Sequence, residues 1–151
     1  RANPIHDVLA RTPDLLVVVS GPDAYVSPDW YVSADQVPTW NYVSVHLYGT
    51  AQVLPPEAAR AHVDELSNLF EARLLPKTPW STAKMPPARL DAMLRAIVPV
   101  EVALTRVEGQ RKLAQHKSAE DRAGVAAGLA ARGNAASLAI AALMEAPAQS
   151  D

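Results

Sequence analysis

The stretch Val37-Pro-Thr-Trp-Asn-Tyr-Val-Ser-Val-His-Leu-Tyr-Gly49 decides the expected fold, because it joins strand periodicity to a dense group of aromatic side chains. From residue 41 to residue 54 a half-polar face alternates with an aliphatic face, which is typical of a β-strand with one face towards a core. Gly49 is expected to permit a bulge or bend in this long strand. The half-polar face carries Tyr42, Ser44, His46 and Tyr48.

Three further segments are predicted as strands. Residues 14–20 form a continuous apolar run stopped by Gly21-Pro22, the pattern of a strand buried on both faces. Residues 24–27 are predicted as a shorter strand. Residues 100–104 repeat the period of two, so a third strong strand is expected to precede a turn at Glu108-Gly109.

Two amphipathic helices are predicted between the strands. Pro55-Pro56-Glu57 opens the first, which ends at Pro76, and Pro87 opens a shorter one with Pro99 beyond its end. Side chains at helical spacing give each helix an expected buried stripe: Ala59, Val63, Leu66, Phe70 and Leu74 in the first, and Leu90, Met93, Leu94 and Ile97 in the second.

The C-terminal region is predicted to be a helical hairpin over residues 118–146. Ser118-Ala-Glu-Asp121 has the form of a capping box, and Arg132-Gly133-Asn134 supplies a stop followed by a fresh N-cap. Gly124 and Gly128 lie in the first, Ala-rich helix, where their spacing indicates close helix packing rather than a phosphate loop.

These elements predict one α+β domain over residues 1–151, built on a small antiparallel barrel with an inserted helix and the hairpin. Three or four strands are too few to close a barrel, which needs about six or more. We therefore expect N-terminal strands of the barrel to be missing from this chain.

Composition excludes several classes of function. The 151 residues are 49% hydrophobic and 20% charged, with a net charge of −2 and no Cys, as expected of a folded soluble protein. Thiolate metal sites, disulfides and cysteine nucleophiles are excluded, and the charge provides no global attraction to nucleic acid or membrane. The longest uncharged run, 36–56, is broken by prolines, so no membrane span is expected, and a cytoplasmic location fits the lack of Cys. No metal site is predicted, because His6, His46, His62 and His116 are scattered.

The segment Thr39-Trp40-Asn41-Tyr42 is a candidate binding site, because two aromatic side chains flank an amide at the mouth of the long strand. A planar heterocycle can be covered by an indole or phenol and read by the amide. The alternative is that Trp40 and Tyr42 plug the end of the barrel. His46 on the same strand is either a structural or a catalytic histidine.

A second candidate is a cluster of hydrogen-bond donors that follows the third strand. Lys112 and the helix that opens at Ser118 favour a phosphate there, with polar help from Gln115; the alternative is a solvated basic turn. The donor cluster consists of Arg111, Lys112, Gln115, His116 and Lys117.

A catalytic Ser-His-Asp assembly could be drawn from Ser27, His46 and Asp23. The sequence lacks the GxSxG motif that would support Ser27 as a nucleophile.

Blocks in the same order along almost the whole chain are similar to those of one family. On these residues the chain resembles the PaiB-like family of FMN-binding negative transcriptional regulators, which have an FMN-binding split β-barrel fold. The segment 37–49 is the specific match, and the others support it. The blocks are residues 1–4, 21–31, 37–49, 79–80, 93–98, 108–115 and 121–125.

The resemblance implies FMN held at a barrel mouth, usually across a homodimer interface, in a protein described as a repressor. The cofactor-binding residues it points to are Thr39, Trp40, Asn41, Tyr42, Lys112 and Gln115. DNA binding is implied by the resemblance alone, because the hairpin has only Arg122 and Arg132 as plausible phosphate contacts and its second helix has no cation or amide to read bases. Two departures from the family are expected to matter: the chain is expected to lack the N-terminal strands that family members carry, and the pattern Lys-Leu-Ser-Gln-Asn has Ala114 and His116 at its third and fifth positions.

Two alternatives accompany this interpretation, and no catalytic residue is assigned. Split barrels similar to this one include pyridoxamine-phosphate oxidases and flavin reductases, so a flavin-dependent oxidoreductase is the competing class, with His46 or Tyr48 as the groups to test. The other is a non-catalytic domain with a vestigial flavin pocket.

Overall fold

The computed structural model describes residues 3–146. These residues form a three-stranded antiparallel sheet and five α-helices, in agreement with the predicted α+β class. The strands pair in the order β1-β2-β3, so β2 is central. In chain order the elements are α1 Ile5–Arg11, β1 Asp14–Val26, β2 Thr39–Val53, α2 Ala58–Glu71, α3 Pro87–Leu94, β3 Val100–Lys112, α4 Ala119–Arg132 and α5 Ala135–Glu145.

Strand β1 is longer than expected, and the predicted stop at Gly21-Pro22 is wrong. The segments 14–20 and 24–27 are parts of one strand that ends at Val26. A Cβ on Gly21 would lie 2.7 Å from Val43 Cγ2, so the glycine permits close contact with β2. Pro22 is tolerated because β1 is an edge strand, which need not use every backbone N–H for pairing.

The expectation that residues 14–20 are buried on both faces is also wrong. Val18 and Val19 are 49% and 52% exposed, whereas Ala24 and Val26 further along β1 are buried. Only the latter pack into the apolar core that includes the hairpin residues Val125 and Ile140. An apolar run predicts a strand, but the element that covers it decides whether it is buried.

Glycines inside β2 and β3 continue the strands. Gly49 lies within β2, where an added Cβ would be 2.5 Å from the carbonyl oxygen of Ala103 on β3. The lack of a side chain at Gly49 therefore allows the two strands to approach closely. The turn predicted at Glu108-Gly109 is wrong, because β3 continues to Lys112.

Helices α2 and α3 form where they are predicted but end earlier, at Glu71 and Leu94, so that Leu74 and Ile97 lie beyond them. Their apolar stripes are only partly buried. Ala59 and Leu90 are buried, and Val63 and Leu94 are half-buried. A helical period identifies side chains that share a face, whereas burial needs another element against that face. The remaining predicted stripe residues are exposed: Leu66, Phe70, Leu74, Met93 and Ile97.

The hairpin of α4 and α5 forms with the predicted caps. Ser118 Oγ accepts from Asp121 N at 3.1 Å, Gly133 has φ +70°, and Asn134 Oδ1 accepts from Ser137 N at 2.9 Å. The close packing expected at Gly124 and Gly128 is present, since a Cβ on either would lie within 2.5 Å of Trp30.

The chain divides into two compact units. The insert unit comprises residues 1–15 and 48–105, and the hairpin unit comprises residues 16–47 and 106–151. Within the part of the chain that the structure covers, the sheet is not closed, so the split barrel and the single domain stay predictions. No helix among residues 3–146 has the length and hydropathy needed to cross a bilayer.

Candidate functional site

The start of β2 separates the predicted binding residues onto two faces of the strand. Thr39 and Asn41 line a cavity in the hairpin unit, and Asn41 is completely buried. Trp40 and Tyr42 do not line it; Trp40 is 53% exposed and meets the Tyr25 ring edge-on at 6.1 Å. Because successive strand side chains point to opposite faces, Trp40 and Tyr42 cannot flank Asn41 around one ligand.

We call this cavity the basic cavity. Its volume is about 250 Å³, and no Asp or Glu lines it. Two lysines, an imidazole and several neutral polar groups give it the chemistry of an anion site. The lining residues are Tyr31, Gln36, Val37, Thr39, Asn41, Lys112, Ala114, His116 and Lys117.

The two lysine ammonium groups of the cavity are held by neutral oxygens. Lys112 Nζ donates to Thr39 Oγ1 at 2.8 Å, and Lys117 Nζ donates to Gln36 Oε1 at 2.6 Å. Lys117 Nζ also lies 5.3 Å from the centre of the Tyr31 ring. Neither lysine forms a salt bridge with a carboxylate of residues 3–146, although Lys117 is close enough to Asp121 to interact with its charge. Lys112 therefore has the less compensated charge of the two.

The turn after β3 places Lys112 and Lys117 on the same cavity. Gln115 Oε1 accepts from Leu113 N at 2.8 Å, and Gln115 Nε2 donates to the carbonyl oxygen of Arg111 at 2.6 Å. Gln115 therefore braces the turn and does not line the cavity, while Arg111 lies outside it as well. Ala114 has φ +57°, a conformation unusual for alanine, at the centre of the turn.

Asp121 anchors the segment that carries Tyr31 and Gln36. Its Oδ1 accepts from Val32 N at 2.8 Å and Ser33 N at 2.9 Å, and its Oδ2 accepts from Ser33 Oγ at 2.6 Å. These bonds, led by the Ser33 hydroxyl, lower the pKa of the Asp121 carboxyl, and Lys117 adds to the effect. Burial, with the nearby Asp121 charge, raises the pKa of the Tyr31 phenol.

Sequence reasoning missed this anchor. Asp121 was expected to complete the capping box at its own helix, yet its carboxylate bonds residues about ninety positions earlier in the chain. Tyr31 belongs to the aromatic group of the sequence, but nothing in its spacing identifies it as a cavity residue. The burial of Asp121, which only the structure shows, identifies the anchor.

Among residues 3–146, the side-chain amide of Asn41 has a hydrogen-bond partner at its nitrogen but not at its oxygen. Its Nδ2 donates to Met144 Sδ at 3.2 Å, whereas its Oδ1 is buried and has no hydrogen-bond partner within the described chain. A buried amide oxygen without a partner costs free energy, so native proteins rarely retain one without a reason.

Other candidates from the sequence contribute less. Ser27 Oγ accepts from Asp29 N at 3.3 Å and so caps the short 3₁₀ helix Pro28–Trp30. His46 is half-buried within β2. Between residues 3 and 146 there is no group of three or more His, Asp or Glu side chains placed to bind a metal ion.

A neighbouring apolar groove runs along the same strands within the hairpin unit. Its volume is about 380 Å³, and almost all of its surface is apolar. Gly109 lies in its wall, and a Cβ added there would meet no atom within 4 Å. The lining residues are Val19, Ser20, Gly21, Val43, Ser44, Val45, Gly109, Gln110, Arg111 and Leu143.

Comparisons with known proteins identify relatives of the chain. It is 31% identical over 119 residues to the protease synthase and sporulation protein PAI 2 of Bacillus subtilis, an alignment covering 79% of this chain and 56% of that protein. Uncharacterized proteins of Emericella nidulans and Aspergillus fumigatus are 26% and 29% identical, over 80% and 85% of this chain and 53% and 56% of theirs. The chain thus spans about half the length of the curated relatives it matches.

A family model described as "Putative FMN-binding domain" matches residues 1–106 of the 151. The match includes the β2 side of the basic cavity, with Thr39 and Asn41, and ends before Lys112 and Lys117. It extends over more than half of the chain, and the chain therefore belongs to this FMN-binding domain family.

Proposed function

We propose that the protein binds FMN with the phosphate in the basic cavity. The observation that carries the proposal is the pair of ammonium groups, Lys112 and Lys117, on a cavity that no carboxylate lines. Charge-assisted hydrogen bonds from lysine to phosphate are among the strong polar contacts in proteins. When bound, FMN supplies redox chemistry that no amino-acid side chain of this chain offers.

The size of the basic cavity limits it to one end of the cofactor. Pockets that enclose drug-sized ligands have volumes of about 300–1,000 Å³, and this cavity has about 250 Å³. The flavin ring therefore needs another surface, and we propose the apolar groove, which shares strands β2 and β3 with the cavity. Because a Cβ at Gly109 would meet no atom within 4 Å, we expect Gly109→Leu to be accommodated, to occupy the groove and to weaken binding of both FMN and riboflavin; unchanged affinities would place the ring elsewhere.

A flavin titration tests the proposed function. FMN fluorescence should be quenched in a saturable manner as the protein is added, and FMN should raise the melting temperature of the protein. Riboflavin, which lacks the phosphate, should bind more weakly. Absence of quenching and of thermal stabilisation at high protein concentration would contradict the proposal.

The homodimer implied by the resemblance is a further proposal. It is supported by exposed apolar residues on edge strand β1, Val17, Val18 and Val19, because exposed apolar edges tend to pair or be covered. Light scattering should give the mass of two chains, and Val18→Lys should give the mass of one. A monomeric wild-type protein would contradict it.

Repression of transcription in the cytoplasm is proposed on the resemblance alone. The hairpin arginines both have partners inside the protein: Arg122 donates to the carbonyl oxygen of Met144, and Arg132 Nη1 lies 3.5 Å from that of Tyr25. If the protein binds DNA, retardation of a promoter fragment should weaken with salt. Indifference to promoter DNA would leave a flavin-binding protein without this role.

A further inference from the structure

The basic cavity contains hydrogen-bond donors that a phosphate can use and a buried acceptor that a phosphate cannot satisfy. Lys112 and Lys117 carry N–H donors that a phosphate can use, since each ammonium has three hydrogens. Asn41 Oδ1 is an acceptor, it is buried, and no described group donates to it. Oxygens of a phosphate dianion only accept hydrogen bonds, so a phosphate alone satisfies the lysines and leaves Asn41 unpaired.

Met144 determines which atom of the Asn41 amide has no hydrogen-bond partner in the described part of the chain. A thioether sulfur accepts hydrogen bonds weakly and has no hydrogen to donate. The amide must therefore turn Nδ2 towards Met144 Sδ, as the 3.2 Å contact has it. Met144 does not line the basic cavity, whereas Asn41 does, and Oδ1 is the amide atom of Asn41 that has no partner among the described residues.

We propose that Asn41 is a specificity-determining residue, which selects phosphate esters that carry a hydroxyl donor near the phosphate. The ribityl chain of FMN belongs to this class of polyol phosphates, so the inference rests on the proposed function and deepens it. A ligand hydroxyl that donates to Oδ1 completes the hydrogen bonding of a group that is otherwise buried without a partner. An alkyl phosphate has no such hydroxyl, so it leaves Asn41 Oδ1 unpaired and should bind more weakly than a hydroxyl-bearing phosphate ester.

If Asn41 serves ligand binding, replacing it should weaken ligand affinity without lowering the stability of the ligand-free protein. A purely structural asparagine stabilises the free protein, so its replacement lowers the melting temperature. An asparagine kept for a ligand carries an unpaired oxygen in the free protein, and replacing it by an apolar side chain of similar shape is neutral or stabilising. Asn41→Leu should therefore leave the melting temperature of the ligand-free protein unchanged or higher.

The first experiment measures FMN affinity and melting temperature for wild type, Asn41→Leu and Asn68→Leu. Asn68 is exposed on α2, so the same substitution there serves as the matched control. Asn41→Leu should weaken FMN binding roughly tenfold, as expected for loss of one hydrogen bond, without a lower melting temperature. Unchanged FMN affinity, or a melting temperature that falls well below that of Asn68→Leu, would overturn the inference.

The second experiment needs no variant. Glycerol 3-phosphate and n-propyl phosphate differ by hydroxyl groups, and above about pH 8 both esters are dianions without a phosphate O–H. Glycerol 3-phosphate should raise the melting temperature of the wild type at lower concentration than propyl phosphate does. Equal stabilisation would refute a role for Asn41 in reading hydroxyls. FMN binding itself, by contrast, is refuted only if FMN neither stabilises the protein nor is quenched by it.

Discussion

Helices α2 and α3 of the insert unit and the hairpin of α4 and α5 all carry apolar side chains at helical spacing, but they differ in burial. In the hairpin, Leu129 and Ile140 are completely buried. In α2, Leu66 and Phe70 are about half exposed. The hairpin is rich in alanine and glycine, which allow close approach of neighbouring elements, whereas the side chains of α2 have no comparable cover within the insert unit. Burial therefore depends on a fitted partner surface, and the basic cavity lies in the unit that has one.

The largest expected effect contrasts two leucines. Leu129→Ala should destabilise the protein by about 2–5 kcal/mol, because it opens a cavity in a packed core. Leu66→Ala should cost less than about 1 kcal/mol, because the side chain is 49% exposed. Urea denaturation of both variants measures the difference. Equal losses would show that α2 is covered in solution.

A smaller effect is expected from a glycine pair. A Cβ on Gly124 would lie 2.2 Å from the carbonyl oxygen of Trp30, whereas one on Gly109 would meet nothing within 4 Å. Gly124→Ala should destabilise by about 1–3 kcal/mol through overpacking, and Gly109→Ala should be close to neutral. The midpoints of chemical denaturation compare the two. A harmless Gly124→Ala would mean that α4 does not pack closely on Trp30.

The effect of pH is more limited and depends on Asp121. Its pKa is lowered in the folded state, chiefly by the Ser33 hydroxyl, so its stabilising contribution is present above the unfolded pKa of about 3.9 and is lost as pH falls through the folded value. Wild-type stability should decline on acidification below about pH 4. Asp121→Asn should flatten that decline, and Ser33→Ala should flatten it in part. An identical pH profile for Asp121→Asn would contradict the anchor.

Several features of the fold and site could be read from the sequence because they depend on local chemistry. The hairpin caps at Ser118 and Asn134 follow from side chains that bond backbone a few residues away. The segment 37–49 and the other sequence blocks predict membership of an FMN-binding family, and this prediction is confirmed. Lys112 and Thr39, both predicted from the sequence as cofactor-binding residues, line the same cavity and share a hydrogen bond.

Other features depend on contacts distant in sequence, which periodicity does not encode. The pairing of Trp40 with Asn41 around one ligand neglected the alternation of the strand that contains them. The anchor from Asp121 to Ser33 and the contact between Asn41 and Met144 join residues far apart in the chain. Gly21-Pro22 resembles a turn in isolation, and only its place in an edge strand makes it compatible with β1.

The most direct test of the account compares FMN and riboflavin on the variant Lys112→Gln, with Lys84→Gln as control. Lys84 is outside the basic cavity and donates to the carbonyl oxygen of Pro79. If Lys112 binds the phosphate, Lys112→Gln should weaken FMN binding by roughly 10- to 100-fold and leave riboflavin affinity unchanged, since a charge-assisted bond contributes about 1.5–3 kcal/mol. Lys84→Gln should alter neither affinity. Equal affinities of wild type and Lys112→Gln for FMN would contradict the account.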